Sequence, residues 1–247
     1  MFANALRLLA ALLITTPALA EEAQEPLLLA GIGAGAERLP YRGVETRKRV
    51  LPLVTYENAW VSVALPTVDL KLTEVGPVGL RLRTRFGFEG YKASDSPYLA
   101  GMDKRKGSLW LGPAAVWDSP VGEFSAEWVG DTMGHSKGSQ WQLQYEKRFD
   151  IGALALTPRV AVHGVDRKYV DYYYGVRAGE ATAARPAYLG GSTRQTEVGL
   201  RLTYRLDESQ MLFADVAGTQ LGKAVEKSPL LDRRYQASAF AGWLYRF

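Results

Sequence analysis

The chain has 247 residues, no cysteine, and 30 basic against 26 acidic side chains, a formal net charge of +4 at pH 7. The absence of cysteine excludes small secreted folds held by disulfides, and a charge balance this even argues against a nucleic-acid partner. A chain of this length is able to bury a core without disulfides.

The first residues have the layout of a secretory signal peptide. Arg7 precedes the apolar run Leu8 to Ile14, and Ala18-Leu19-Ala20 offers a small-residue cleavage site before an acidic, polar stretch. We expect cleavage after Ala20, with residues 21–247 forming one mature domain. An uncleaved membrane anchor is the alternative, but the apolar run is far shorter than the ~20 residues that a spanning helix needs.

From Leu27 onward, apolar and polar residues alternate in segments separated by Gly, Pro, Asp, Asn and Ser, with almost no amphipathic helix pattern. In Val78 to Phe88, three arginines at alternate positions oppose a mostly apolar face, and Thr193 to Leu206 repeats this design. Segments of about ten residues of this kind are typical of outer-membrane barrels, which turn the apolar face to lipid and the polar face to the lumen.

The predicted fold is all-β, a transmembrane antiparallel up-and-down β-barrel in the outer membrane of a Gram-negative bacterium. The strands of a soluble β-sandwich also alternate apolar and polar residues. The export signal, strand lengths near the ~9–11 residues that cross a bilayer, and the aromatic last residue Phe247 favour the barrel.

The strand count depends on the stretch from Trp60 to Leu72. Taken as one strand, it gives eleven segments in all, whereas bacterial single-chain barrels have an even number. The apolar parity switches at Pro66, so we predict a tight turn at Leu65 to Thr67, twelve strands and both termini in the periplasm. Ten strands are the alternative.

The connections fall into two classes. Short turns should face the periplasm, and we place them at 118–122, 149–152 and 206–209. Longer loops should face outward, and we place them near 91–107, 131–138, 165–192 and 222–234. The loops near 38–48 and 91–107 are rich in charge, which we interpret as a solvated surface.

Charge on the inner face is the most unusual chemical feature of the predicted barrel. The residues that we assign to a lumen-facing charge ladder are Arg81, Arg83, Arg85, Glu146, Arg148, Arg159, Glu197, Arg201, Arg205 and Arg246. A cationic lining would favour anions in an open pore. We favour the alternative, in which the charges pair and fill a narrow lumen, because unpaired buried charge is costly.

The chain ends within an alternating strand pattern. Trp243, Tyr245 and Phe247 share one face, an ending typical of the signal that the barrel assembly machinery reads. Aromatic rings also suit the membrane interface, so we expect contacts with outer-membrane lipid and lipopolysaccharide.

The sequence predicts no catalytic residue, no metal site and no cofactor. A Ser-His-acid arrangement needs a histidine, and the two available are His135, near Asp131 and Ser136 in a predicted outer loop, and His163, on an inward face near the outer rim. Proximity in sequence is not triad geometry, and two separated histidines lack metal-ligand spacing.

Several segments resemble the MltA-interacting protein (MipA)/OmpV family of Gram-negative outer-membrane proteins, and together they extend over essentially the mature chain. They are LPLVTYEN at Leu51 to Asn58, the block Leu99 to Ala114, LTPRVAV at Leu156 to Val162, DYYYGV at Asp171 to Val176, and Ser228 to Phe247. The most specific is the outer-loop motif formed by Asp171, Tyr172, Tyr173, Tyr174, Gly175 and Val176. Its tyrosines could stack on sugar rings, but we expect them to pack a loop over the barrel mouth.

The resemblance implies a non-catalytic scaffold. Its expected partners are a murein-degrading lytic transglycosylase and a bifunctional murein synthase, which act on peptidoglycan in the periplasm. The arginine face leaves a narrow, anion-preferring channel or small-solute porin as the alternative. A surface enzyme that uses His135 is a third hypothesis.

Overall fold

The computed structural model describes residues 26–247, so the predicted signal peptide, residues 1–20, lies outside the described residues. The strands form one antiparallel sheet that closes on itself through β1 and β13. They are β1 (Leu27–Arg38), β2 (Arg47–Glu57), β3 (Val61–Ala64), β4 (Thr67–Val75), β5 (Val78–Phe86), β6 (Leu109–Ser119), β7 (Gly122–Asp131), β8 (Ser139–Glu146), β9 (Phe149–Ile151), β10 (Leu154–Val165), β11 (Thr193–Arg205), β12 (Gln210–Gln220) and β13 (Tyr235–Arg246).

The wall has twelve strands, because β8 and β9 are two parts of one strand interrupted at Lys147 and Arg148. Both parts pair with β10. The predicted count is confirmed, and so is its cause, since Leu65 and Pro66 form the turn between β3 and β4. Both described ends of the chain lie with the short turns, the end that we assign to the periplasm.

Successive side chains of each strand point alternately to the outside and to the lumen, which gives the wall two different faces. On β13 the odd positions carry the exposed rings of Tyr235, Trp243 and Tyr245, whereas Phe240 lies in the lumen against Gly33. A Cβ on Gly33 would lie 2.5 Å from Cε1 of Phe240, so the absent side chain leaves room for that ring. The apolar outer face is the one that meets lipid.

Two α-helices lie in the long loops, α1 (Arg167–Tyr174) and α2 (Lys223–Glu226), together with short 3-10 turns at Ala93–Asp95, Pro97–Leu99 and Ala178–Glu180. Helix α1 begins after Asp166, whose carboxylate accepts the Tyr169 N–H at 2.8 Å and so caps the first turn. The residues described include no helix long and apolar enough to span a membrane.

The packed core of the molecule lies in these loops. Buried side chains from four of the outer loops and from the adjoining ends of β6, β7 and β10 form one cluster, which we call the cap: Leu39, Tyr41, Tyr91, Leu99, Met102, Trp110, Val129, Val165, Tyr169, Val170, Tyr173, Tyr174, Val176, Leu221, Val225, Leu230 and Leu231. The barrel is therefore covered at its outer end by a structure with a hydrophobic core of its own.

Candidate functional site

The upper lumen is a cavity of about 420 Å³ directly beneath the cap. Tyr169 and Tyr174 of α1 line it from above, while Gln140, His163 and Gln195 line it from the strands. Both tyrosines are buried, with exposed fractions of 5% and 6%. Helix α1 thus forms the ceiling of the lumen.

One set of ion pairs lies on the inner face of the barrel and joins side chains of β4, β5 and β7. Arg83 donates to Asp69 at 2.6 Å and to Glu127 at 2.8 Å, and Arg81 and Arg85 add pairs to the same two carboxylates at 3.4 and 3.1 Å. Asp69 and Glu127 are only 3% and 8% exposed. Each buried carboxylate therefore has more than one arginine partner, which offsets the cost of its desolvation.

A second set joins β10, β11 and β12. Arg159 donates to both oxygens of Asp215, at 2.7 and 3.0 Å, and its Nε donates to Glu197 at 3.1 Å. Arg201 adds a hydrogen bond to Asp215 at 3.2 Å, and His163 Nε2 lies 3.4 Å from Glu197. The bidentate geometry fixes the Arg159 guanidinium across three strands.

The lower lumen is a larger cavity of about 1850 Å³, with the predicted ladder residues Glu146, Arg148, Arg201, Arg205 and Arg246 in its lining. Arg148 pairs with Asp150 at 2.8 Å, and both side chains are more than half exposed. Within residues 26–247, Arg205 and Arg246 have no carboxylate within 4.0 Å. Among the described residues, the ladder thus has paired arginines in the middle of the lumen and, nearer the periplasm, the exposed Arg148–Asp150 pair together with two arginines that have no carboxylate within 4.0 Å.

The DYYYGV motif belongs to the cap. Tyr173 is 0% exposed and its hydroxyl donates to the Lys106 carbonyl at 3.0 Å, while Tyr172 accepts the Lys106 N–H at 2.9 Å. Burial raises the pKa of both Tyr173 and Tyr174. These contacts favour packing over the mouth for Tyr173 and Tyr174, whose buried rings present no face to a sugar, whereas Tyr172 is only partly buried.

The other motif residues hold the turn that follows α1. Asp171 accepts the Gly190 N–H at 2.6 Å, and a Cβ on Gly175 would lie 2.2 Å from the Asp171 carbonyl oxygen. Val176 pairs with Tyr188 as an isolated bridge. Glycine is thus needed at position 175 because the backbone of α1 passes close to it.

Sequence reasoning missed the charged residues buried in the cap. Arg105 donates to both oxygens of Glu180, and Arg185 donates to backbone carbonyls of Ala100 and Glu180. Arg105, Glu180 and Arg185 are 2%, 6% and 3% exposed. They lie in irregular loops, where no period distinguishes an inward residue from an outward one.

The residues around His135 do not assemble a catalytic triad. Ser136 donates its hydroxyl to Asp131 at 2.8 Å, whereas His135 Nδ1 lies 2.9 Å from the Gly107 carbonyl oxygen. Asp131 also accepts the N–H groups of Met133, Gly134, Ser136 and Lys137, so its carboxylate holds the loop together. In the described part of the chain, no three His, Asp or Glu side chains converge to hold a metal ion.

Comparison with known proteins defines the family. The profile of the family described as MltA-interacting protein MipA matches residues 30–247. The chain is 27% identical over 220 residues to the putative outer membrane protein YiaT of Escherichia coli (strain K12), which covers 88% of this chain and 89% of that protein. It is 25% identical over 222 residues to the MltA-interacting protein of the same strain, again covering 88% and 89%.

Among solved structures, an outer membrane channel from Pseudomonas putida F1 aligns at a TM-score of 0.43 and 10% identity, covering 94% of this chain and 99% of that one. The profile match, by contrast, extends over nearly all of the described barrel. The family resemblance carried by the sequence motifs is therefore confirmed, and the chain belongs to the MltA-interacting protein MipA family of outer-membrane β-barrels.

Proposed function

We propose that this barrel is a non-catalytic scaffold that holds murein-processing enzymes at its periplasmic rim. The observation that carries the proposal is the difference between its two ends. The outer end is covered by the cap, whereas the periplasmic end opens into the larger cavity and bears the short turns. A relative named for its interaction with MltA covers most of the chain and supports the same role.

The periplasmic rim offers exposed apolar side chains to a partner. Trp60, in the turn between β2 and β3, is 70% exposed, and Val121, in the turn between β6 and β7, is 57% exposed. Large exposed apolar groups are the kind of anchors that protein interfaces bury. Because they stand on rigid turns of a closed sheet, they would present a fixed surface to a lytic transglycosylase or a murein synthase.

Photo-crosslinking in cells tests the scaffold. A photoreactive residue replaces Trp60 in one strain and Val121 in another, while a matched control replaces Leu189, which is 71% exposed in an outer loop. We expect murein enzymes to be recovered from the two rim positions and not from Leu189. Recovery of no murein enzyme from either rim position would overturn the proposal.

A narrow, anion-preferring channel is a second candidate. It is favoured by Arg205 and Arg246, which line the lower cavity without a carboxylate partner among residues 26–247. Planar-bilayer recording of the refolded barrel separates the two functions. Stepwise anion-selective currents would support the channel, whereas a folded barrel that stays electrically silent at high protein load would eliminate it.

A further inference from the structure

The barrel wall has a notch beside β2. Strand β2 pairs with β1 at every position from Arg47 to Glu57, but with β3 only from Thr55 to Glu57. Strand β3 has just four residues, fewer than the ~9–11 that cross a bilayer. The upper part of β2 therefore has a neighbouring strand on one side alone within the described residues.

The backbone of β2 turns polar groups toward this notch. The Val54 carbonyl accepts the Leu65 N–H at 3.2 Å, so Val54 faces the notch, and in an antiparallel strand every second residue faces the same way. Those residues are Pro52, Val50 and Lys48, and in residues 26–247 none has a backbone partner on that side. Pro52 has no N–H, which removes one unpaired donor from the free edge.

The larger lumen cavity extends to the residues that border the notch. The larger cavity is lined by the inward-facing Leu51 and Leu53 and also by Pro52 and Val54, which lie on the other face of the same strand. Its remaining apolar lining here consists of Leu65, Pro66, Phe86 and Phe88. Residues from both faces of β2 thus line the cavity beside the notch.

The outer surface around the notch is apolar and uncovered. Val50 is 67% exposed, and Leu65, Phe86 and Phe88 are 47%, 39% and 38% exposed. These positions lie at mid-strand and upper wall levels, where a barrel of this kind faces hydrocarbon. Free backbone groups are tolerated at that depth only where they line a cavity, which the notch provides.

At its upper end the notch is bordered by two arginine side chains and not by hydrogen-bonded strands. Arg47 Nη2 donates to the Gly90 carbonyl at 3.1 Å and Nη1 to the Phe88 carbonyl at 3.5 Å. The Arg49 guanidinium lies 4.9 Å from the centre of the Phe88 ring. Arg47 also pairs with Asp95 at 3.5 Å and Arg49 with Glu37 at 3.3 Å, so side-chain contacts and not a continuous ladder close the upper border.

We propose that the notch is a lateral entry by which a long-chain fatty acid passes from the bilayer into the lumen. The apolar side chains that border the opening suit an alkyl chain. The lower cavity supplies Arg205 and Arg246, which have no carboxylate partner within the described chain and complement a fatty-acid carboxylate. This site is independent of any partner at the periplasmic rim.

Photo-crosslinking with a diazirine-bearing palmitate tests the entry. The purified full barrel in detergent is irradiated with the probe, and labelled peptides are mapped by mass spectrometry. We expect labels on lumen residues of β2 and β13, including Leu53 and Phe240. Labels confined to lipid-facing side chains would overturn the proposal.

Leu51→Arg places a charge in the apolar opening and should lower lumen labelling about tenfold, because an alkyl chain would have to pass an unpaired charge. The matched control Thr203→Arg adds the same charge to the same cavity from β11 and should keep the labelling. Equal labelling of the wild type and Leu51→Arg would overturn the proposal, as would stronger labelling by a photoreactive diacyl phospholipid than by the palmitate probe. Cooperative unfolding of both variants in urea checks that they are folded.

Discussion

Arg105 and Glu180 form a buried ion pair that joins two outer loops, with Arg105 Nη2 lying 2.8 and 2.7 Å from the two carboxylate oxygens. Their side chains are 1% and 6% exposed, so water screens the pair little. Burial alone would raise the pKa of Glu180, but hydrogen bonds from Arg105 and from the N–H groups of Arg177 and Asp103 outweigh it and lower that pKa.

Arg105→Ala should loosen the cap. It leaves the Glu180 carboxylate buried without its partner, which costs roughly 3–5 kcal/mol. The measurement is hydrogen exchange of the amides of α1 in the refolded barrel, where we expect a corresponding loss of protection. Arg177→Ala is the control, since its pair with Asp103 is 59% and 67% exposed and contributes only about 0–1 kcal/mol. Equal protection in the two variants would contradict the prediction.

Arg83→Met should destabilise the barrel itself. It leaves Asp69 with Arg81 and Glu127 with Arg85 as their remaining cationic partners, and we expect a loss of about 1.5–3 kcal/mol in the free energy of unfolding. Urea unfolding in detergent micelles measures it. Arg148→Met, which removes an exposed pair with Asp150, should change that free energy by less than about 1 kcal/mol. A similar midpoint for both variants would refute the difference.

The strands were predictable because a wall between lipid and lumen requires apolar and polar residues to alternate along every strand. Arg81, Arg83 and Arg85 alternate with mostly apolar residues in the sequence, and the structure pairs all three with lumen carboxylates, Asp69 on the adjacent β4 and Glu127 two strands away on β7. The turn at Pro66 was predictable for the same reason. The apolar positions change from odd-numbered to even-numbered residues there, as they do across a tight two-residue turn.

The cap and the notch were not predictable from such patterns. Helix α1 has eight residues, too few for a clear helical period, and Arg105 and Glu180 meet across 75 positions of sequence. The notch depends on the short length of β3, and strand ends are set by pairing with neighbours as well as by the residues of the strand. Long-range contacts of this kind leave no periodic trace in the sequence.

Gly33→Ala should destabilise the barrel through one contact inside the lumen. The new Cβ would lie 2.5 Å from Cε1 and 2.7 Å from Cζ of Phe240, so the ring must move, at a cost of about 1–3 kcal/mol. Adding Phe240→Leu should recover part of that loss, because the atoms that clash are removed. A double-mutant cycle of urea unfolding measures the coupling, and strictly additive effects would show that the two residues do not interact.

Glu89 should make the stability of the cap depend on pH. Its Oε2 is buried, and burial raises the pKa of Glu89, although its own backbone N–H, Arg85 and the Trp110 indole oppose the rise. Since its pKa is higher in the folded state, Glu89 contributes full stability below the unfolded value of ~4.3 and loses it as pH rises through the folded value.

Glu89→Gln stays neutral and should abolish this loss. Hydrogen exchange of α1, measured upward from about pH 4 and corrected for intrinsic rates, should therefore show protection that falls with pH in the wild type and stays level in the variant. Glu45→Gln, at an exposed position of another outer loop, should keep the wild-type profile. Parallel profiles for the wild type and Glu89→Gln would mean that Glu89 does not control the cap.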